Sequence, residues 1–502
     1  MDRRNFLRVS AMAGTVLAYG TAACGAATAD RRTLSTGATG SAGASAAEWR
    51  ALGRGLDGRL IRPGDASYDP ARRLFNTAYD SVRPAGIAYC ATAADVAECV
   101  AFARRFGVPV TSRSGGHSYA GWSTSRNGLV IDVSPMSRVS YSGGHATIGA
   151  GARLVDVYAR LAAHGVSIPA GSCPTVGIAG LTLGGGLGVV SRKYGLTCDV
   201  LESVRIVTAD GRTLTCSATS NPDLFWASRG GGGGNFGVAT SFTFRTHAIR
   251  DVTLFFLHWP WSKAAAVLRA WQAWAPYAPD ELWSNLHLGH DPSPDVMVGG
   301  LYVGGKAGCE RLLRRLVDRV GAGPSSRYVA RSPYDHAMMV MAGCADLSVA
   351  QCHRPGSLPG ETSKGRLVRD AFTAKSHIAY APLSATGIRT LIRQVGTAGR
   401  HSVLLDALGG AIGRVRPDAT AFPHRRALFT VQYYAHRTGA AAWARAAHAA
   451  MRPHFGDHAY VNYIDPELTG WRRQYYGANA ARLARVKAAY DPGRLFRLPQ
   501  GV

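Results

Sequence analysis

Apolar positions along this chain change their period repeatedly. The run AGIAYCATAADVAECVAFARRFGVPVTSRSGGHS (85–118) begins with a short apolar stretch, Ile87 to Tyr89, that reads as a strand. Val96, Val100 and Phe102 or Ala103 then recur at helical spacing and predict a helix from about Ala94 to Phe106, after which Val108 to Ser112 predicts a second strand. Farther on, Val238 to Arg245 reads as a strand, AAAVLRAWQAWAPY (264–277) as helical, and NLHLGHD (285–291) and ALFTVQYYAHR (427–437) as strands. A last helix is predicted from about Ala478 to Ala489, stopped by Asp491-Pro492-Gly493. At 502 residues, this alternation is too long for one small core and indicates two or more domains.

The first thirty residues follow a different pattern. Arg3 and Arg4 precede Phe6 and Leu7, an apolar run from Ala11 to Ala23 and the small-residue exit Ala27-Thr28-Ala29. This resembles a twin-arginine export signal over residues 1–29. The apolar run is shorter than the roughly 20 residues a spanning helix needs, so no transmembrane segment is expected. Cys24 after Thr21-Ala22-Ala23 weakly resembles a lipoprotein site; a soluble exported enzyme is preferred over a lipid anchor there. Twin-arginine machinery carries folded proteins, which suits a chain that takes up a large cofactor first. Residues 30–59 are rich in Ala, Gly, Ser and Thr near their start and read as a flexible linker, with the fold beginning near Leu60.

A net charge of +25 would ordinarily suggest an anionic partner. Only six of the 57 basic residues are lysine, however, and they form no basic run or aromatic-spaced patch, so nucleic acid is not expected as a partner. Nine cysteines include no CxxC pair, and no metal site is expected. Cys344 and Cys352 are spaced for a short disulfide in an oxidising compartment, or they are two unpaired thiols.

Three glycine-rich runs carry the candidate chemistry. SRSGGHSYAGWS (112–123) mounts His117 directly after two glycines, in the loop that follows a predicted strand. CPTVGIAGLTLGGGLGVVSRKYGLTCD (173–199) contains Cys173 and glycines 177, 180, 184, 185, 186 and 188, but it lacks the Lys and Ser/Thr of a phosphate loop and the strand–turn–helix of a dinucleotide fingerprint. NPDLFWASRGGGGGNFG (221–237) places five consecutive glycines, Gly230 to Gly234, before a strand. Three such runs suggest an extended ligand threaded through backbone, though any one of them alone reads equally as a loop.

Together with YVNYIDPELTGWRRQYYGANAARLARVKAAYDPGRLFRLPQ (460–500), these runs resemble the berberine bridge enzyme-like flavin oxidases, in that family's order and over most of the chain from about residue 65. The resemblance implies an α+β fold: a split FAD-binding domain of the PCMH or vanillyl-alcohol-oxidase type, plus a substrate domain with an antiparallel sheet backed by helices. Residues 60–250 would form the first part of the FAD domain, 251–454 the substrate domain and 455–502 a segment returning to the FAD domain. It implies FAD bonded through its 8α methyl to His117 and through carbon 6 to Cys173. A nucleophilic imidazole and a thiolate are the groups that an electrophilic flavin requires. Arg113, Ser114, Gly115, Gly116, Ser118, Val176, Gly177, Gly180, Gly184, Gly237, Val238, Asn462 and Asn479 would contact the cofactor. Val176 would border the route of dioxygen, where a longer leucine stands in dehydrogenase-like members.

The same resemblance implies hydride transfer from a substrate carbon to flavin N5, with Tyr463 of YVNY taking the hydroxyl proton once its surroundings lower the phenol's pKa from near 10. Gln432 and Tyr119 would flank the substrate, Asp406 of LLDALGG would pair with the tyrosine, and Tyr460 competes with Tyr463 for the role of base. Two departures touch this network: Leu187 stands where some members have a second phenol, and Thr430 where plant members carry a lysine. Trp271, Trp274 and Trp283 either stack on sugar or fill core. The preferred reading is an oxidase for a small molecule or oligosaccharide, with dioxygen as acceptor. A dehydrogenase using another acceptor and a non-catalytic flavin carrier are the alternatives.

Overall fold

The computed structural model describes residues 43–436 and 441–502; the export signal and the first part of the predicted linker lie outside the described residues. Sequence and structure disagree just after that boundary. Ala46–Gly55 is a helix, opened by a capping box between Ser45 and Glu48. Its Trp49 and Leu52 are buried, and Trp49 packs on Phe102 with ring centroids 4.6 Å apart. The 30–59 linker is therefore corrected: from residue 46 the chain is folded, because the Trp49, Leu52 and Leu56 stripe finds an apolar partner in the Ala93–Phe106 helix.

Four short strands, β1 (Arg59–Ile61), β2 (Gly86–Tyr89), β3 (Val110–Arg113) and β4 (Leu129–Asp132), form a sheet of order β1-β2-β4-β3. The predicted strands and helix of this region appear within two residues of their expected limits. Next come β5 (Val139–Ser142), β6 (His145–Gly149), β7 (Val166–Ser167), β8 (Leu201–Val207), β9 (Thr213–Ser217), β10 (Val238–Arg245) and β11 (His247–Ala248). Five of them make a sheet of order β5-β6-β10-β8-β9, while β7 pairs with β11. One apolar core serves both sheets and the C-terminal helix Ala480–Tyr490.

The second half is built on an antiparallel sheet of seven strands: β12 (Asp251–Trp259), β13 (Leu282–His290), β14 (Pro294–Tyr302), β15 (Ser326–Pro333), β16 (Phe372–Ala379), β17 (His401–Ala407) and β18 (Phe429–His436). Their order is β15-β12-β14-β13-β17-β18-β16. Helices Ala264–Gln272, Lys306–Val320, Ala385–Val395 and Ala441–Phe455 cover one face, where Trp271 and Trp274 are buried in a second core. Because side chains alternate along each strand, the other face is free to line a site. The fold is α+β, and no described helix is long and apolar enough to cross a membrane.

Buried polar ties join the two halves. Arg192, 1 % exposed, donates to the carbonyls of Pro276, Ala278, Leu282 and Leu408, all in the second half. Burial lowers its pKa to about 10, so it stays charged. Arg425 makes a bidentate pair with Asp199 at 2.7 and 2.8 Å. Residues beyond 459 return to the first half: Lys487 donates to the carbonyls of Asn235 and Phe496 and pairs with Asp491 at 2.6 Å. Cys344 and Cys352 form a disulfide, with Cα atoms 5.9 Å apart.

Replacing Arg192 by Met should leave four buried carbonyls without a donor and destabilise the protein by about 3 kcal/mol. At this size that corresponds to a fall of roughly 3 °C in the thermal midpoint. Calorimetry checks it, and an unchanged midpoint would show that Arg192 does not clamp the halves.

Candidate active site

Between the first two sheets and the open face of the third lies a cavity of about 800 Å³. All three glycine-rich runs reach it: Gly115 and Gly116, Gly177 and Gly180, and Gly232 to Gly234 with Gly237 are in its wall. A Cβ on Gly180 would meet nothing within 4 Å, so this backbone is a bare floor open to a ligand.

The first two runs touch each other. A Cβ on Gly115 would lie 2.2 Å from the amide nitrogen of Gly177, and one on Gly177 would lie 2.3 Å from that of Gly115. Only two glycines allow this approach. It brings the His117 and Cys173 loops together, and His117 Nε2 shares a 2.8 Å hydrogen bond with Thr175 Oγ1. The imidazole also stacks on Phe75, with centroids 4.2 Å apart. Desolvation, reinforced by Arg354 and Arg153, lowers its pKa to about 3, so the ring is neutral at ordinary pH. Cys173 is exposed to the cavity yet surrounded by protein, and burial followed by the charge of Asp406 raises its thiol pKa.

A polar cluster from β17, β18 and the loop after β3 forms the wall beyond these nucleophiles. Asp406 accepts from Gln432 Nε2 at 3.3 Å and from Thr430 Oγ1 at 3.4 Å. Tyr119 donates to Gln432 Oε1 at 3.0 Å and is in short hydrogen-bond contact with the Tyr434 hydroxyl. The Tyr463 ring lies parallel to that of Tyr119, with centroids 5.7 Å apart and planes inclined by 9°. Burial raises the Asp406 pKa to about 6 despite its hydrogen bonds.

Ser114, Ser118, Val176, Val238 and Asn462 line the cavity with the residues named so far. Four expected site residues do not. Arg113 is buried in an ion pair with Asp132 that fixes the end of β3. Gly184 makes room for Asn462, since a Cβ there would fall 2.0 Å from its Oδ1. The Tyr460 hydroxyl accepts from Gly186 N at 2.8 Å and from Asn462 Nδ2 at 3.0 Å, which holds the glycine turn. Asn479 donates to the carbonyls of Pro417 and Thr420, tying down a loop instead of facing the cavity. The expected lowering of the Tyr463 pKa is also corrected: burial first, then the negative charge of Asp406, raises it. Trp283 reaches the cavity wall, unlike Trp271 and Trp274. Tyr434, Asn285 and His287 belong to the wall and were missed; strand alternation from Gln432 would have found Tyr434.

Residues 84–217 match the family described as "FAD binding domain", and 459–502 match "Berberine and berberine like". The chain is 35% identical over 460 residues to an uncharacterized FAD-linked oxidoreductase of Bacillus subtilis, YgaK, covering 89% of this chain and 97% of that one. The chain belongs to the berberine bridge enzyme-like family. This berberine bridge enzyme-like protein is also 30% identical to the chitooligosaccharide oxidase of Gibberella zeae, over 88% of its own length and 92% of that oxidase. The solved structure of Physcomitrella patens BBE-like 1 superposes with a TM-score of 0.83 at 30% identity, covering 90% of this chain and 98% of that one.

It is an FAD-linked oxidoreductase, and the cavity fits the cofactor. Its volume lies in the range of about 300–1,000 Å³ usual for such sites, and its glycine floor lets a long ligand lie against backbone. Among the described residues no arginine or lysine lines it, and backbone N–H groups of the glycine runs are there to meet phosphate charge.

Gly115→Ala should drive the two loops apart, destabilise the protein by about 1–3 kcal/mol and lower flavin content at least about twofold. The ratio of flavin to protein absorbance measures this; a wild-type ratio would mean that the contact does not set the cradle.

Proposed function

We propose that this protein is an oxidase carrying FAD through two covalent bonds, from His117 and Cys173. Its reaction is the oxidation of an alcohol or hemiacetal carbon of a carbohydrate, or of a glycosylated or polycyclic metabolite. Dioxygen takes up the electrons and leaves as hydrogen peroxide. The observation that carries this reading is the shared cavity: a neutral imidazole and a thiol open into it from two touching loops, with an acid–amide–phenol cluster on the wall beyond. The named activity of the Gibberella zeae relative supports oxidase chemistry on a sugar.

When bound, FAD supplies the hydride acceptor and the route of electrons to dioxygen. The chain does the rest. His117 is kept unprotonated by burial, so its lone pair is available for bonding. Gln432 and Tyr119 fix the side of Asp406 that faces the cavity, and Asp406 is the group able to accept the proton of a substrate hydroxyl near neutral pH. Tyr463 keeps its proton at that pH and donates a hydrogen bond, or relays the hydroxyl proton toward Asp406. Val176, beside Cys173 in the cavity wall, is shorter than leucine and leaves space for dioxygen. Export through the twin-arginine machinery is part of the proposal, and a Cys344–Cys352 disulfide suits an oxidising destination.

The purified protein should keep its flavin after acid precipitation, and His117→Ala or Cys173→Ala should each leave one link; release of all flavin from the unmutated protein by acid would falsify bicovalent attachment.

Asp406 is protonated below about pH 6 and ionised above it, so anaerobic flavin reduction should speed up as pH rises through about 6 and then level off. Tyr119, Tyr463, Cys173, Thr430 and Gln432 surround it, and none of them titrates in that window from the directions given by burial. Asp406→Asn should remove the limb and slow reduction by about 10² to 10⁴ fold. Stopped-flow profiles that keep the limb in the variant would assign it elsewhere.

A further inference from the structure

A second cavity, of about 730 Å³, lies where four separate pieces of the chain meet: the C-terminal end of the Ala93–Phe106 helix, the start of β3, the turn between β8 and β9, and the tail beyond the Ala480–Tyr490 helix. Thr111, Trp122 and Leu498 belong to its wall and to that of the first cavity, so the two spaces share a partition. Thr111 Oγ1 donates to the Trp122 carbonyl at 2.7 Å and ties that partition together.

The two walls differ in charge. Arg104, Arg212, Arg494 and Arg497 line the second cavity, whereas among the described residues no arginine or lysine lines the first. The acids in this wall are committed, Asp210 to Arg212 at 2.6 Å and Asp491 to Lys487 at 2.6 Å. Among the described residues, Arg104, Arg494 and Arg497 pair with no carboxylate. Guanidinium groups gathered without a counter-ion repel one another, and an oxyanion between them relieves that repulsion.

Two further observations bear on the same space. Thr124 is 8 % exposed and its hydroxyl has no hydrogen-bond partner; it lines this cavity and not the first. Buried hydroxyls are normally satisfied, so this one marks a place where a ligand oxygen is met. Arg494 has φ +50°, a left-handed conformation that only Asn127 and Asn221 share among the described non-glycine residues. Asparagine tolerates that conformation, whereas an arginine is strained in it, and strain of this kind is kept where a side chain is used. Arg497 Nε donates to the Arg494 carbonyl at 2.6 Å, which sets the two residues side by side.

Size and lining narrow the ligand. The volume is far more than a free phosphate fills and lies within the range of about 300–1,000 Å³ usual for small organic ligands. Val108, Val110 and Leu495 add apolar surface, with the rings of Trp122 and Tyr490. A neutral ligand would leave the guanidiniums without a counter-charge, whereas a phosphate ester offers several charged oxygens at once.

We infer that the second cavity binds a small organic phosphate, its phosphate group held by Arg494, Arg497 and Arg104 with a hydrogen bond from Thr124, and its organic body against Trp122 and the apolar wall. The site takes no part in the oxidation chemistry and stands independently of the oxidase reading.

The test is calorimetric titration of the full flavin-loaded protein with adenosine 5′-monophosphate and with phenyl phosphate, against adenosine, phenol and inorganic phosphate. At least one ester should bind with a Kd of about 1 mM or tighter, about tenfold or more below that of inorganic phosphate and of either neutral compound. Arg494→Asn and Thr124→Val should each weaken that binding about fivefold or more, while the thermal midpoint of the ligand-free protein stays level or rises. One substitution relieves the left-handed strain and the other removes an unpaired hydroxyl, so a merely structural role for these residues predicts the opposite, unchanged affinity. No binding of either ester, equal binding of adenosine, phenol or inorganic phosphate, or an affinity that survives both substitutions overturns the site.

Discussion

The site depends on one close approach of backbone to backbone. Gly115 and Gly177 stand where any side chain would enter the other's peptide, and the two loops that carry His117 and Cys173 are held together only because neither has one. A steric permission of this kind contributes no attraction by itself. The surrounding bonds fix the approach: Ser114 Oγ to the Ala150 carbonyl at 2.6 Å, Leu154 N to the Val176 carbonyl at 3.1 Å, and the Arg113–Asp132 ion pair beneath them. The reactive groups therefore inherit their separation from the scaffold and have little freedom to choose it.

Burial then acts on the two kinds of titrating group in opposite senses. It strips the proton from His117 and retains one on Asp406 to higher pH, because in each case the charged form is the one that loses its water. One protein-lined cavity thus yields an unprotonated imidazole and a carboxylate basic enough to act near neutrality. The ionic ties that join the halves, Arg192 and the Arg425–Asp199 pair, lie outside the cavity wall, whereas the charges of Arg354 and Arg153 act in the same sense as burial at His117.

What could be read from the sequence was local. The glycine runs, His117 and Cys173 are short contiguous signals whose chemistry needs no knowledge of pairing partners. The placing of Asn285 opposite Asp406 was not legible, because it exists only once β13 and β17, more than a hundred residues apart in the chain, are aligned in register. Tyr460 and Tyr463 are three residues apart in one turn, and only the folded chain shows that Tyr463 lines the cavity while Tyr460 accepts from Gly186 N. The Ala46–Gly55 helix was hidden by its alanine-rich composition, although Ser45 and Glu48 already had capping-box spacing. Asn479 was read as a cofactor contact from the family resemblance, yet its side-chain NH2 is directed at the carbonyls of Pro417, Thr420 and Ala421.

The return of residues 459–502 to the first half has a consequence for how the protein is made. Val461, Asn462, Tyr463 and Ile464 close the cavity from one side, and Leu498 and Gln500 from another. Ribosomes deliver these residues after both sheets of the first half and the seven-stranded sheet, so the nascent chain can assemble its sheets before these walls of the cavity exist. Enclosure of the cavity therefore waits on a segment that is made after every strand of the fold.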